Sequence, residues 1–162
     1  MQRVQWVGVV CFVFAVVVSS ANCGQAAEMI DPQVAALQRQ VELLERAFAP
    51  QSYWEAVEKW AAGVQTRNGA AQFAVLSSEL RERTRSKYEA MMWVTGTSSP
   101  WVAEWIVVDE KVLSENAVAF TVRFELAAST GPVGAYTVEL EVSGDGEQYY
   151  ITRLSSEAWA FR

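Results

Sequence analysis

Histidine is missing from all 162 residues, and that absence removes more chemistry than any other feature of the chain. A hydrolytic triad needs a base that titrates near neutrality, normally imidazole, and zinc and haem sites lose their usual nitrogen ligand. Cysteine is nearly missing too. Cys11 and Cys23 are the only two, so the chain beyond residue 27 has neither a disulfide nor a thiolate site. Aspartate occurs at Asp31, Asp109 and Asp145: one before a proline at a helix start, one at a strand end, one inside Gly-Asp-Gly. None reads as a pocket acid. Clustered Asp runs, an EF-hand loop and Gly-rich phosphate loops are also absent, so no metal and no cofactor is expected. Basic side chains number 13 against 19 acidic, a net charge of −6, which argues against nucleic acid as a partner because it rewards clustered Lys and Arg.

Apolar residues, by contrast, make up 51% of the chain, and the first block of them does not belong to a domain. Met1-Gln2-Arg3 is a short positive start, residues 7–18 (VGVVCFVFAVVV) are an unbroken apolar run, and Ser19, Ser20, Ala21 and Asn22 follow. That order is the order of a secretory signal. Counted from Val4 the apolar region has 15 residues, short of the roughly 17–25 of a spanning helix, so an uncleaved anchor is the second choice. The expectation is a signal over residues 1–27, a single domain over 28–162, and an extracytoplasmic location, secreted or membrane-anchored at the cell envelope. Two endings compete. Cleavage after Ala26 or Ala27 leaves small residues where a signal peptidase reads them, whereas Cys23-Gly24 suggests a bacterial lipoprotein, with Ser20 and Asn22 standing where such signals prefer an aliphatic and a very small residue. Membrane contact is expected only through a signal anchor or lipid.

Within the domain, Asp31-Pro32 is a helix start. Val34, Leu37, Val41, Leu44 and Phe48 then form one stripe of a helix of about 17 residues, stopped at Ala49-Pro50. Ser52 caps a second helix, with Glu55 completing a capping box. Its stripe of Trp54, Val57, Trp60, Ala61 and Val64 is expected to place both tryptophans on the core side. Thr66-Arg67-Asn68-Gly69 breaks this helix, and Gly69 is expected to terminate it with a positive φ. A short third helix carries Phe73, Val75 and Leu76, and Ser77 or Ser78 caps a fourth carrying Leu80, Tyr88, Met91 and Met92. The period then changes from 3.6 to 2. Strands are predicted over 101–109, 117–127, 135–142 and 148–154, with Val118, Phe120, Val122, Phe124 and Leu126 facing one way and Thr121, Arg123 and Glu125 the other. Helices followed by a one-sided meander predict an α+β fold, with N-terminal helices packed on a curved four-stranded antiparallel sheet. The break lets the helical layer wrap the sheet instead of overshooting it.

The stretch WAAGVQTRNGAAQFAVLSSEL, residues 60–80, and SSPWVAEWIVV after it resemble small exported bacterial members of the nuclear-transport-factor-2-like superfamily, also called cystatin-like. The resemblance covers most of residues 50–155 and rests on packing positions, not on a catalytic signature. It implies a cone whose helices close over a curved sheet. Enzymatic members place an Asp, or an Asp with His, inside the cone and often use Tyr as donor; this chain departs from that pattern. The expectation is therefore a noncatalytic accessory or interaction module with an unknown protein partner and a homodimer through the sheet. The alternative is a protein for a small apolar ligand, or a cofactor-free lyase or isomerase, using a cone lined by Trp60, Phe73, Tyr88, Trp93 and Tyr136.

Trp54, Trp60, Trp93, Trp101, Trp105 and Trp159 are expected mostly in the core. Arg123 and Glu125, with Glu139 and Glu141, are expected to form cross-strand ion pairs on the exposed face, each worth only about 0–1 kcal/mol. The basic run from Arg81 to Lys87 reads as a solvated helix face. The N-terminus carries its own test: if Cys23 takes a lipid, Cys23→Ser releases the protein from membranes or blocks its processing, and identical soluble distributions of the two proteins end the lipoprotein reading.

Overall fold

The computed structural model describes residues 31–155. The expected signal over residues 1–27, the candidate lipidation site Cys23 and Trp159 lie outside the described residues. Among the described residues, no helix is long and apolar enough to cross a membrane.

Helix α1 runs Pro32–Phe48, with the Asp31 carboxylate accepting from the Gln33 N–H at 2.8 Å and proline at the start. Its apolar stripe faces solvent except at Phe48, which is half-buried against the core. No residue of α1 is buried, and Leu37 and Leu44 are 60% and 61% exposed. The helix is held near its C-terminal end. Glu45 meets Arg81 at 3.0 Å, and Lys59 donates to the Phe48 carbonyl at 2.7 Å while lying over the Phe48 ring.

Helix α2, Tyr53–Gln65, starts at Ser52, whose hydroxyl accepts from the Glu55 N–H at 3.1 Å. The returning Glu55 carboxylate accepts from the Gln51 N–H, not from that of Ser52. Ala56, Val57, Trp60 and Ala61 are buried, but Trp54 is 49% exposed, which corrects the expectation of two core tryptophans. Six residues at about 100° each set the two side chains about 120° apart around the helix, too far for one core-facing stripe.

The break is real but its strain lies elsewhere than expected. Helix α3 is Gly69–Ala74, capped by Asn68, whose side chain accepts from the Ala71 N–H at 3.0 Å. The left-handed residue is Arg67, with φ +60, and Gly69 is not among the positive-φ glycines. Glycine is needed at 69 for space. An added Cβ would stand 2.8 Å from the Trp93 carbonyl oxygen and 3.0 Å from the Tyr88 ring, and the Gly69 N–H donates to that same carbonyl at 2.8 Å.

Helix α4, Ser78–Ala90, is capped by Ser77 and buries Leu80, Thr84 and Tyr88. Met92 does not continue its stripe: it is 83% exposed, and Met92 and Trp93 take φ of +49 and +61 as the chain reverses. The basic run is divided. Arg83 and Arg85 pair with Glu79 and Glu89 of the same helix. Arg81 instead turns inward, giving hydrogen bonds to the carbonyls of Leu76 and Ala74 as well as its ion pair with Glu45.

Strands β1 (Trp101–Ser114), β2 (Ala117–Ala128), β3 (Gly131–Gly144) and β4 (Tyr149–Leu154) form one antiparallel sheet in the order β1-β2-β3-β4. Pairing Val107 with Val122 and Val122 with Val138 aligns the apolar residues on the face beneath the helices. Shifts at Val102/Glu104, Val107/Asp109 and Val112/Ser114 interrupt the β1–β2 ladder, and such bulges bend and twist a sheet. The fold is thus the predicted α+β arrangement of N-terminal helices and a curved four-stranded antiparallel sheet. On the outer face, Arg123 reaches Glu125 of its own strand at 2.8 Å, while the cross-strand pair is Arg153 with Glu141, also at 2.8 Å. The register explains the difference, because Thr137 and not a glutamate stands opposite Arg123.

Gly69→Val is expected to lower stability by about 1–3 kcal/mol, the range for forcing extra atoms into a packed site. Asn68→Asp is expected to be mild, because a carboxylate caps as well as an amide. Urea midpoints check both, and an unchanged midpoint for Gly69→Val would mean that the approach to Trp93 is slack.

Candidate functional site

Four pieces of chain meet at the helix break. The last turn of α2 brings Val64, the turn brings Arg67, the segment before β1 brings Thr95, Gly96 and Thr97, and the strands bring Trp101, Val102, Leu126 and Tyr136. Together with Pro100 they line a recess of about 380 Å³.

Hydrogen bonds set its rim. The Thr95 N–H donates to the Arg67 carbonyl at 3.1 Å, and Arg67 answers with Nε to the Thr95 carbonyl at 3.0 Å and Nη2 to the Gly96 carbonyl at 3.4 Å. Behind the rim lies a buried polar chain. Gln72 Nε2 donates to the Gly63 carbonyl at 3.0 Å and to Thr95 Oγ1 at 2.6 Å, and the Tyr88 hydroxyl donates to Gln72 Oε1 at 3.4 Å. Paired polar groups in a low-dielectric interior hold their geometry, since losing a partner leaves a costly orphan. The positions of Thr95 and Arg67 are therefore set from behind.

The five aromatic residues expected to line a cone fall into two groups. Tyr136 lies on the recess wall and stacks on Phe124 with centroids 5.1 Å apart; Trp60 meets the other side of that contact, edge-on to Phe124 at 5.9 Å. Trp60 is 1% exposed, and its buried Nε1 meets no protein acceptor. Phe73, Tyr88 and Trp93 form a separate three-ring cluster with centroids 5.2–5.8 Å apart. The guanidinium groups of Arg81 and Arg85 lie over Phe73. Sequence reasoning took Arg67 only as part of a turn and did not select Thr95, Gly96, Trp101 or Val102. A cation placed inside a helix break was the one available signal.

Chemically, the interior has little to move protons with. Besides the Tyr88 hydroxyl, the buried polar side chains among the described residues are Gln72, Thr84 and Thr95, none of which titrates near neutrality. No group of His, Cys, Asp and Glu side chains among the described residues could hold a metal ion. Burial pushes the Tyr136 hydroxyl up to about 12 and raises that of Tyr88 as well.

No family model matches the chain, and no curated protein matches it. Among solved structures it is similar to a candidate calcium/calmodulin-dependent protein kinase type II association domain from Thiobacillus denitrificans, at 12% identity over 65% of this chain and 94% of that one, with a TM-score of 0.49. A SEC-C motif-containing protein from Rhodopseudomonas palustris matches at 12% identity over 68% and 80%, TM-score 0.47. An NTF-2 like protein of unknown function from Shewanella oneidensis matches at 12% identity over 62% and 91%, TM-score 0.41. Identities of this size carry no residue roles across.

The raised tyrosine pKa values have a signed consequence. A folded-state pKa above the ordinary value near 10 favours the neutral phenol in the fold, so this stabilisation is intact below pH 10 and is lost as pH rises towards about 12. The urea midpoint is expected to fall across that window, and Tyr136→Phe to remove part of the fall. A fall that Tyr136→Phe leaves unaltered would assign the alkaline loss to other groups.

Proposed function

We propose that this chain is a noncatalytic module of the nuclear-transport-factor-2-like type, exported to the cell envelope, which works by association and not by chemistry. The observation that carries this reading is the filling of the space between helices and sheet. Trp60, Phe73, Leu76, Leu80, Tyr88, Phe120 and Phe124 are packed there, and no carboxylate is among the buried residues of the described chain. A cofactor-free lyase or isomerase would need an acid or base in that space. Export and envelope location rest on the N-terminal pattern alone, and family type on the order of elements and the packing positions at residues 60–80.

The partner is a second copy of this chain, docked on the outer face of the sheet. That face combines exposed apolar residues, Ile106 at 44% and Leu113 at 45%, with charges of both signs. A shallow depression of about 280 Å³ on it is lined by Leu113 together with Asp109, Lys111, Glu139, Glu141 and Arg153. An interface between identical surfaces must be self-complementary, and a patch carrying both signs around an apolar centre satisfies that condition where a single-sign patch repels itself.

Light scattering at rising protein concentration tests the proposal. A dimer is expected, with Leu113→Arg shifting it to monomer at unchanged far-ultraviolet circular dichroism. A wild-type monomer throughout, or a dimer indifferent to Leu113→Arg, removes the sheet interface.

A further inference from the structure

Arg67 brings a full positive charge to the wall of the recess and finds no carboxylate there. Six of the other seven arginines of the described chain behave differently: Arg39, Arg81, Arg83, Arg85, Arg123 and Arg153 each stand 2.8–4.0 Å from a glutamate, and the seventh, Arg46, is exposed to water on α1. Arg67 Nε and Nη2 reach the carbonyls of Thr95 and Gly96, which orient the guanidinium plane without neutralising it. Nη1 makes no hydrogen bond and is left for a ligand.

The surroundings make that charge informative. Arg67 is only partly exposed, and no other residue lining the recess is charged. Val64, Val102 and Leu126 supply aliphatic wall, and Trp101 and Tyr136 supply aromatic wall. A cation withdrawn from water beside apolar surface, in a chain of net charge −6 with 16 glutamates to choose from, is a poor choice for stability alone.

We propose that this recess binds an amphipathic monocarboxylate, its carboxylate on the Arg67 guanidinium and its aliphatic or aryl body against Val102, Leu126, Trp101 and Tyr136. A planar carboxylate matches the guanidinium fork. A single negative charge balances the single positive one, whereas a phosphate dianion would leave a second charge against apolar wall with no cation to meet it. The volume of about 380 Å³ falls in the range of small-molecule sites. This site lies apart from the outer face of the sheet, so it stands or falls independently of dimerisation.

Calorimetric titration of the full chain with decanoate, decanol and acetate separates the contributions of head and body. Decanoate is expected to bind saturably, decanol at least about tenfold more weakly, and acetate not measurably, because a charge-assisted hydrogen bond is worth roughly ten- to hundredfold in affinity. Arg67→Gln is expected to bring decanoate down to the level of decanol. Because Arg67 also holds the loop at residues 95–96, a second variant leaves its hydrogen bonds in place: Thr97→Glu, at an exposed lining position, gives up only the exposed Thr97 hydroxyl donation to the Pro100 carbonyl, supplies an internal counter-ion and is expected to weaken decanoate about tenfold while sparing decanol. No decanoate binding, equal affinities for decanoate and decanol, or decanoate affinity unmoved by Thr97→Glu overturns the proposal.

Discussion

The contact between Gly69 and the Trp93 carbonyl, with its 2.8 Å hydrogen bond, is the constraint on which the helical layer depends. It can form only because residue 69 has no Cβ, and it joins the start of α3 to the reversal that follows α4. Once it is made, Phe73 and Trp93 meet edge-on and Tyr88 stacks on Trp93. The chain then continues through Val94, bridged to Asn68, to Thr95, whose N–H reaches the Arg67 carbonyl. The strained φ values at Arg67, Met92 and Trp93 cluster around this one junction. Such conformations persist where surrounding contacts over-determine them, and here the aromatic cluster and the Gln72 network do so. The recess with Arg67 on its wall is a by-product of the same junction, since the break and the loop before β1 form its rim.

A second set of contacts decides what is covered and what is left open. The curved sheet receives α2, α3 and α4 on one face, and its Val, Phe and Leu residues become the core with Trp60, Leu76 and Leu80. Helix α1 reaches that core only through half-buried Phe48 and is held also through Arg81, whose guanidinium serves the carbonyls of Leu76 and Ala74 and the carboxylate of Glu45. Two arginines thus do opposite things. Arg81 spends its hydrogen-bonding capacity inside the domain, while Arg67 keeps part of its own. The contrast separates a structural cation from one available to a ligand, although both lie near the same short helix.

Much of the architecture was legible along the chain because it depends on near neighbours. The caps at Asp31, Ser52 and Ser77 and the break before Gly69 follow from local hydrogen-bonding habits, and the alternation through Val118, Phe120, Val122 and Phe124 is a property of strand geometry. Periodicity carried the element order and the inner face of the sheet. It was weaker on side: Trp54 looked like a core partner of Trp60 and is half-exposed, and α1 had a clean stripe of which only Phe48, at its end, is covered. An apolar stripe states that a helix can be buried, but not that a surface exists to bury it.

The sequence by itself determined the missing chemistry, with no imidazole anywhere and no thiol beyond Cys23, and it determined four helices followed by an antiparallel meander, because composition and 2- or 3.6-residue periods need no knowledge of distant contacts. Only the tertiary structure decided that Gly69 serves close approach and not a turn conformation, that Arg123 pairs along its strand, and that the five expected aromatic residues divide into two groups. It also decided that Arg67 stands without a carboxylate on an otherwise uncharged wall. Each of these depends on what another element brings opposite, as Trp93 does for Gly69 and Thr95 for Arg67, or on register between strands, and neither is written in local pattern.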